Sequence, residues 1–165
     1  MDSYELTTFF AVFWASIGIG VLLGLGIAAV LYVLIAVPLM RIFEHAGIEP
    51  WKAWVPFYST YLWLQLGGVN GYWVLASLVP FGSYALAVFQ YIAMYRQGFA
   101  YGKDSGFLVL GILLPVVWLF MIAYGGAPYE PWRIAARGLP GPFVGLGAVP
   151  PPVAGPYQAQ SPPVA

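Results

Sequence analysis

Cysteine is absent and histidine occurs once, at His45. Without thiols there is no disulfide, iron–sulfur cluster, Cys-based zinc site or thiol catalysis. With one imidazole, a multi-His metal site is excluded. Charge is scarce as well. It makes up 7% of the 165 residues, with six Lys plus Arg against six Asp plus Glu. A soluble domain carries about 25% charged residues to coat its surface. No basic tract is present, which argues against nucleic acid as a partner, because phosphate binding needs clustered Lys/Arg. Apolar and aromatic residues are abundant instead, at 61% and 18%. A chain of this composition cannot coat a water-facing surface and is expected in a lipid bilayer.

The hydropathy pattern predicts an all-α, multi-pass membrane protein with about four membrane-embedded helices. Residues 1–8 are short and acidic and lack the basic region of a signal peptide. The apolar run 9–40 is read as a retained transmembrane helix. It exceeds the roughly 20 residues that span a bilayer, so it must tilt or project. Gly47 and Pro50 then read as a stop followed by a start. The segment 51–66 is apolar and aromatic but broken by Lys52, Pro56 and Gln65. It is the least secure of the four: it either spans or lies in the interface. Residues 72–95 read as a membrane helix kinked at Pro80, where Ser77 or Ser83 would re-satisfy a freed carbonyl. Residues 106–124 read as the last membrane helix, interrupted by Pro115.

These elements make a helical transmembrane domain over 1–124, followed by a tail over 125–165. The tail holds ten of the fifteen prolines and seven glycines. It is expected to be extended or disordered, or to order along a partner through Tyr129, Trp132, Phe143 and Tyr157. A weak internal repeat joins two of the segments. Val55-Pro56-Phe57-Tyr58-Ser59 recurs as Val79-Pro80-Phe81-Gly82-Ser83, each copy preceded by a Trp and a glycine turn. The distribution of Lys and Arg favours an extracytoplasmic N-terminus, whether three or four helices span.

Every Lys, Arg, Asp, Glu and His lies at a predicted membrane edge, in a loop or in the tail, and none sits mid-helix. Intramembrane charges mark pumps, proton relays and catalytic groups, so their absence points away from an enzyme. The densest polar cluster is Arg41, Glu44, His45 and Glu49. Its plain reading is an interfacial anchor with an ion pair. Its functional reading is His45 as a ligand to a metal or a pigment. One His with two Glu is thin for a metal site, so none is predicted. Aromatic belts would permit contact with a pigment or quinone, but no spacing specifies a cofactor. Ser16, Gly20, Gly24 and Ala28 recur every four residues of the first helix. They form a smooth stripe of the kind that lets helix backbones approach in lipid. The partner helix would be in this chain or in another.

The stretch FEHAGIEPWKAWVPFYSTYLWLQLGG, followed by GYWVLASLVPF and YRQGFAYGKDSGFLVLGILLPVVWLFMIAYGGAPY, resembles a family of small bacterial multi-pass proteins known only as a domain of unknown function. Phe43-Glu44, Ala46-Gly47, Trp51, Pro56-Phe57-Tyr58, Trp73, Pro80 and Gly125 to Tyr129 carry the resemblance over about residues 40–130. Ser59, Gly82 and Gly126 stand where the family usually has polar residues. Members of the family are sometimes joined to type I signal peptidase domains. The resemblance implies a helical protein of the bacterial inner membrane and supplies no activity. The function expected from all these features is non-catalytic. It is an accessory or scaffold subunit that packs against other membrane proteins in a larger assembly, such as a respiratory or photosynthetic complex. The alternatives are a small-solute channel or transporter lined by Ser16, Gln65, Ser77, Ser83 and Gln90, or the partner of a membrane enzyme using His45.

Overall fold

The computed structural model describes residues 3–147. Among these the chain is all-helical, with no strand. Helix α1 runs Ser3–His45, 43 residues, or about 65 Å at 1.5 Å per residue. Leu, Val, Ile, Ala and Phe fill it, and Pro38 sits inside it without ending it. Tyr4 to Ile35 are exposed throughout, whereas Ala36, Leu39, Ile42 and Phe43 are buried. One helix among the described residues, Tyr4–His45, is long and apolar enough to cross a membrane. Such a helix near an N-terminus suits a membrane protein or a signal sequence.

Each of the three later apolar segments is broken in two, which corrects the expected single helices. Residues 50–66 divide into a 3-10 helix, Pro50–Trp54, and α2, Tyr58–Leu66. Residues 71–100 divide into a 3-10 helix, Gly71–Leu78, and α3, Gly82–Ala100. Residues 107–124 divide into α4, Phe107–Leu113, and α5, Pro115–Tyr124. Proline causes the breaks, because it removes a donor and biases the preceding residue towards extended backbone. Val55, Val79 and Leu114 have φ of -96°, -101° and -137°. Both copies of Val-Pro-Phe join a 3-10 helix to an α-helix through a Phe of positive φ, but their turns differ: at the first, Tyr58 N–H donates to Pro56 O at 2.7 Å in a three-residue turn. Phe57 and Phe81 take φ of 62° and 64°, the only non-glycine residues with positive φ among those described. At the second copy Gly82 N–H donates to Val79 O at 2.9 Å, a type II turn with Pro and Phe at its centre. The sequence repeat is therefore a structural repeat. Ser77 Oγ donates to Val74 O at 2.7 Å within its own turn, while Ala76 O, the carbonyl four residues before Pro80, accepts from Val79 N–H at 3.1 Å.

These breaks are reversals. Each two-part segment leaves one end of the molecule and returns to it. Ala46 and Gln65, which bracket the first, accept hydrogen bonds from Leu146 N–H (2.7 Å) and Phe143 N–H (2.9 Å). Those donors are three residues apart, at most about 11 Å along the chain. Gly68 and Arg96 bracket the second and are hydrogen-bonded to each other. Tyr101 and Tyr129 bracket the third, with ring centroids 5.3 Å apart. The result is three hairpins of unequal length standing on a common platform beside the lower third of α1.

Glycine ends the descending helices at this platform. After α1, Ile48 N–H reaches Phe43 O at 2.8 Å and Gly47 has φ of 71°. After α2, Val69 N–H reaches Leu64 O at 2.9 Å with Gly68 at 65°. After α3, Lys103 N–H reaches Gly98 O at 2.9 Å with Gly102 at 67°. All three are Schellman motifs. The core between the hairpins gathers Phe43, Trp63, Leu64, Leu66, Trp118 and Ile122.

The Pro/Gly-rich segment is packed as far as it is described. It carries one short α-helix, α6, Trp132–Ala135, a 3-10 helix, Gly145–Gly147, and otherwise irregular backbone. Ile134 is fully buried, and Leu139 and Val144 pack against the core. Prolines and glycines deny it long helices, but its few apolar side chains still find the platform.

Candidate functional site

The Schellman motif at Gly47 sets His45 on the last turn of α1, facing the platform. Tyr101, the residue that caps α3, presents its hydroxyl 3.5 Å from His45 Nδ1. Tyr129 stacks obliquely on the far side of Tyr101. A shallow depression of about 420 Å³ opens here, lined by His45, Ala123, Tyr124, Gly126 and Tyr129 among others. Burial pushes the phenols of Tyr101 and Tyr129 well above their ordinary range. The Tyr129 hydroxyl is buried with no hydrogen-bond partner.

The carboxylates expected beside His45 turn elsewhere. Glu44 pairs with Arg41 at 2.9 Å, and both are about half exposed. Glu49 pairs with Lys52 at 3.2 Å and accepts from Trp51 Nε1 at 3.0 Å, and Lys52 holds its carboxyl below the usual range. Among the described residues no three His, Cys, Asp or Glu side chains gather as a metal site. The depression offers the exposed His45 imidazole, while Tyr101 and the Tyr129 hydroxyl are buried behind it.

The small-residue stripe lies on a different part of the molecule. Ser16, Gly20, Gly24 and Ala28 occupy the exposed part of α1. A side chain added at Gly18, Gly20, Gly24 or Gly26 would meet nothing within 4 Å. Ser16 Oγ bonds back to Val12 O within its own helix. Ala28 and His45 are about 25 Å apart along the helix axis, so the stripe and the His45 depression are separate. Two of the polar residues weighed as a solute path bond within their own helices or turns. Ser16 stands on the lone part of α1, and Ser77 is bonded to its own turn.

The four tail anchors divide. Tyr129 is packed against Tyr101. Trp132 is exposed, with the Arg133 guanidinium 5.4 Å from its ring centre. Phe143 anchors through its backbone while its ring is exposed. Tyr157 lies outside the described residues.

Two residues matter more than the sequence suggested. Arg96 donates to the carbonyls of Gly67 (3.1 Å) and Gly68 (2.8 Å). It closes the end of α2 as a cation should close a helix C-terminus. Gln97 is fully buried; its Nε2 donates to Trp63 O at 3.1 Å while its Oε1 has no partner. The only sequence signal for either was a polar pair directly at the end of an apolar run.

Residues 51–130 match the model described as Family of unknown function (DUF5684). The resemblance read from the sequence over about 40–130 is thus met over the three hairpins, while α1 lies outside the match. No curated protein and no solved structure matches the chain.

Proposed function

We propose that this chain is a non-catalytic integral protein of the bacterial cytoplasmic membrane, an accessory or scaffold subunit that packs against other membrane proteins. The carrying observation is the upper part of α1. It presents a smooth Ser16, Gly20, Gly24 and Ala28 stripe that no other described residue touches. Close backbone approach at such stripes drives helix association in lipid, where the hydrophobic effect is not available. The occupant is a transmembrane helix of another membrane protein.

Two further facts support this reading. The lower end of α1 supplies Leu39, Ile42, Phe43 and Ala46 to the core, so a cleaved α1 would take core residues with it. This favours a retained anchor over a removed signal sequence. The acidic N-terminal end and the basic residues elsewhere favour an extracytoplasmic N-terminus.

Purification in mild detergent, sizing and mass spectrometry test the proposal. A large particle with fixed partners is expected, and Gly20→Leu or Gly24→Leu should release them while the protein still inserts. A particle of this chain alone, or normal assembly in both variants, would overturn it. An absorption spectrum of the same particle tests for a pigment near His45.

A further inference from the structure

We infer that the chain crosses the bilayer once, through α1, and that its three hairpins are re-entrant, dipping part-way into the bilayer and returning to the cytoplasmic face. The surface concerned is the set of hairpin tips, and its partner is the acyl region of the bilayer. The inference rests on the reading that α1 is inserted in a membrane.

Connectivity carries the argument. Ala46 and Gln65 are tied to the same short strap, Gly68 to Arg96, and Tyr101 to Tyr129. In a four-span chain each of these pairs would sit on opposite faces of a layer about 30 Å thick. Hydrogen bonds and ring contacts cannot reach across that distance. The first tip rises beside α1, where the Tyr32 hydroxyl donates to Trp54 O and the two rings lie 6.0 Å apart. The tips therefore point along α1 towards its lone apolar portion.

Chemistry at the tips fits lipid. Phe57, Phe81 and Leu113 are 60%, 82% and 72% exposed, beside exposed Leu78, Val79 and Leu114. Charged residues are absent from all three tips. Backbone in hydrocarbon must satisfy its own donors. Each tip carries a proline, which has none: Pro56, Pro80 and Pro115. Neighbouring N–H groups are bonded: Tyr58 to Pro56 O (2.7 Å), Gly82 to Val79 O (2.9 Å) and Trp118 to Leu114 O (3.0 Å). The returning helices α2 and α5 have nine and ten residues, about 14–15 Å, or half the hydrocarbon thickness, and the longer α3 rises about 21 Å from Arg96 to Gly82, still short of crossing it.

Charge fits as well. Arg41, Lys52, Arg96, Lys103, Arg133 and Arg137 are all six basic residues of the chain. Every one lies at or next to the platform. With a single crossing, no Lys or Arg remains on the far side, where Glu5 stands. The positive-inside rule then assigns the platform to the cytoplasm without division.

The natural absence of cysteine makes the test clean. Single cysteines are placed at Tyr4, Asn70, Tyr72, Ser83, Ser105 and Leu113 of the full chain. They are challenged with a membrane-impermeant maleimide in spheroplasts and in inverted vesicles. Asn70→Cys, Tyr72→Cys and Ser105→Cys should label only in inverted vesicles. Ser83→Cys and Leu113→Cys should label from neither face until detergent is added. Labelling at 70 or 72 from the face opposite to 105 would overturn the inference in favour of spanning helices. Ready labelling at 83 and 113 in both preparations would overturn it in favour of hairpins in water. Tyr72→Cys covers the event that Asn70→Cys, which loses the bond from Tyr72 N–H, misfolds. Tyr4→Cys labelling only in spheroplasts separates the two ideas, because it reports insertion of α1 whether or not the hairpins re-enter and whether or not a partner is bound.

Discussion

Trp73 and Phe89 stack with ring centroids 4.3 Å apart and an interplanar angle of 25°. They lie on either side of the Pro80 reversal, so the stack holds the two arms of the second hairpin together. Trp73→Ala should open that hairpin, at a cost of about 1–2 kcal/mol given the partial exposure of both rings. A double-mutant cycle with Phe89→Ala should return a coupling of roughly 0.5–1.5 kcal/mol. Unfolding in detergent followed by circular dichroism measures both. No coupling would mean that the rings are incidental neighbours.

Arg96→Met should destabilise the protein by about 1–3 kcal/mol, because it strands the carbonyls of Gly67 and Gly68 at the end of α2. Arg96→Lys should recover only part of this, since one ammonium matches the geometry less well than the guanidinium fork. Thermal unfolding in a single detergent ranks the three proteins. Equal midpoints would remove the capping role.

Gly68→Ala should be worse than a helix propensity change explains. Gly68 has φ of 65°, and an added Cβ would fall 2.4 Å from Pro140 O. Strain of about 1–3 kcal/mol is expected from the backbone alone, together with detachment of the 139–147 strap. Limited proteolysis should then cut near Arg137 faster than in the native chain. Gly20→Ala, in open space, is the matched control and should leave proteolysis unchanged.

Tyr101 and Tyr129 predict an alkaline limit. Their folded pKa values are raised by burial above the ordinary value near 10. Below about pH 10 both phenols are protonated whether the chain is folded or not, and stability is full. Above it the unfolded chain releases protons that the folded chain retains, so stability falls as pH rises. Chemical denaturation between pH 8 and pH 11 should show this decline, flattened in the Tyr101→Phe, Tyr129→Phe double variant. Tyr129→Phe alone should be neutral or mildly stabilising at pH 8, since it removes a buried hydroxyl that has no partner.

Helical segments were legible in the sequence because apolar runs and glycine stops are local signals. Gly47 reads as a helix stop in the sequence and is one, and Gly68, in a glycine turn, is another. The Val-Pro-Phe repeat was visible as a pattern, and its meaning was not. Proline in an apolar run reads equally well as a kink or a reversal. The choice depends on whether Phe81 takes a positive φ, which a bulky residue adopts only when its surroundings hold it there. Likewise His45, Glu44 and Glu49 form one cluster along the chain and separate in space. Their partners Arg41 and Lys52 are nearer in helical register than they are to each other.

Composition and short-range pattern by themselves determined that this chain is strongly apolar, that it is helical, and that thiol and multi-His chemistry are closed to it. Those outcomes follow from residue counts and short-range periodicity. Only the tertiary structure decided that three apolar segments fold back, and that Arg96 closes a helix instead of marking a loop. It also decided that Leu146 and Phe143 bind two helix ends to one platform. The physical reason is that a hydropathy run records how much apolar surface a segment has. Where its two ends lie is set by hydrogen bonds between residues distant in the chain.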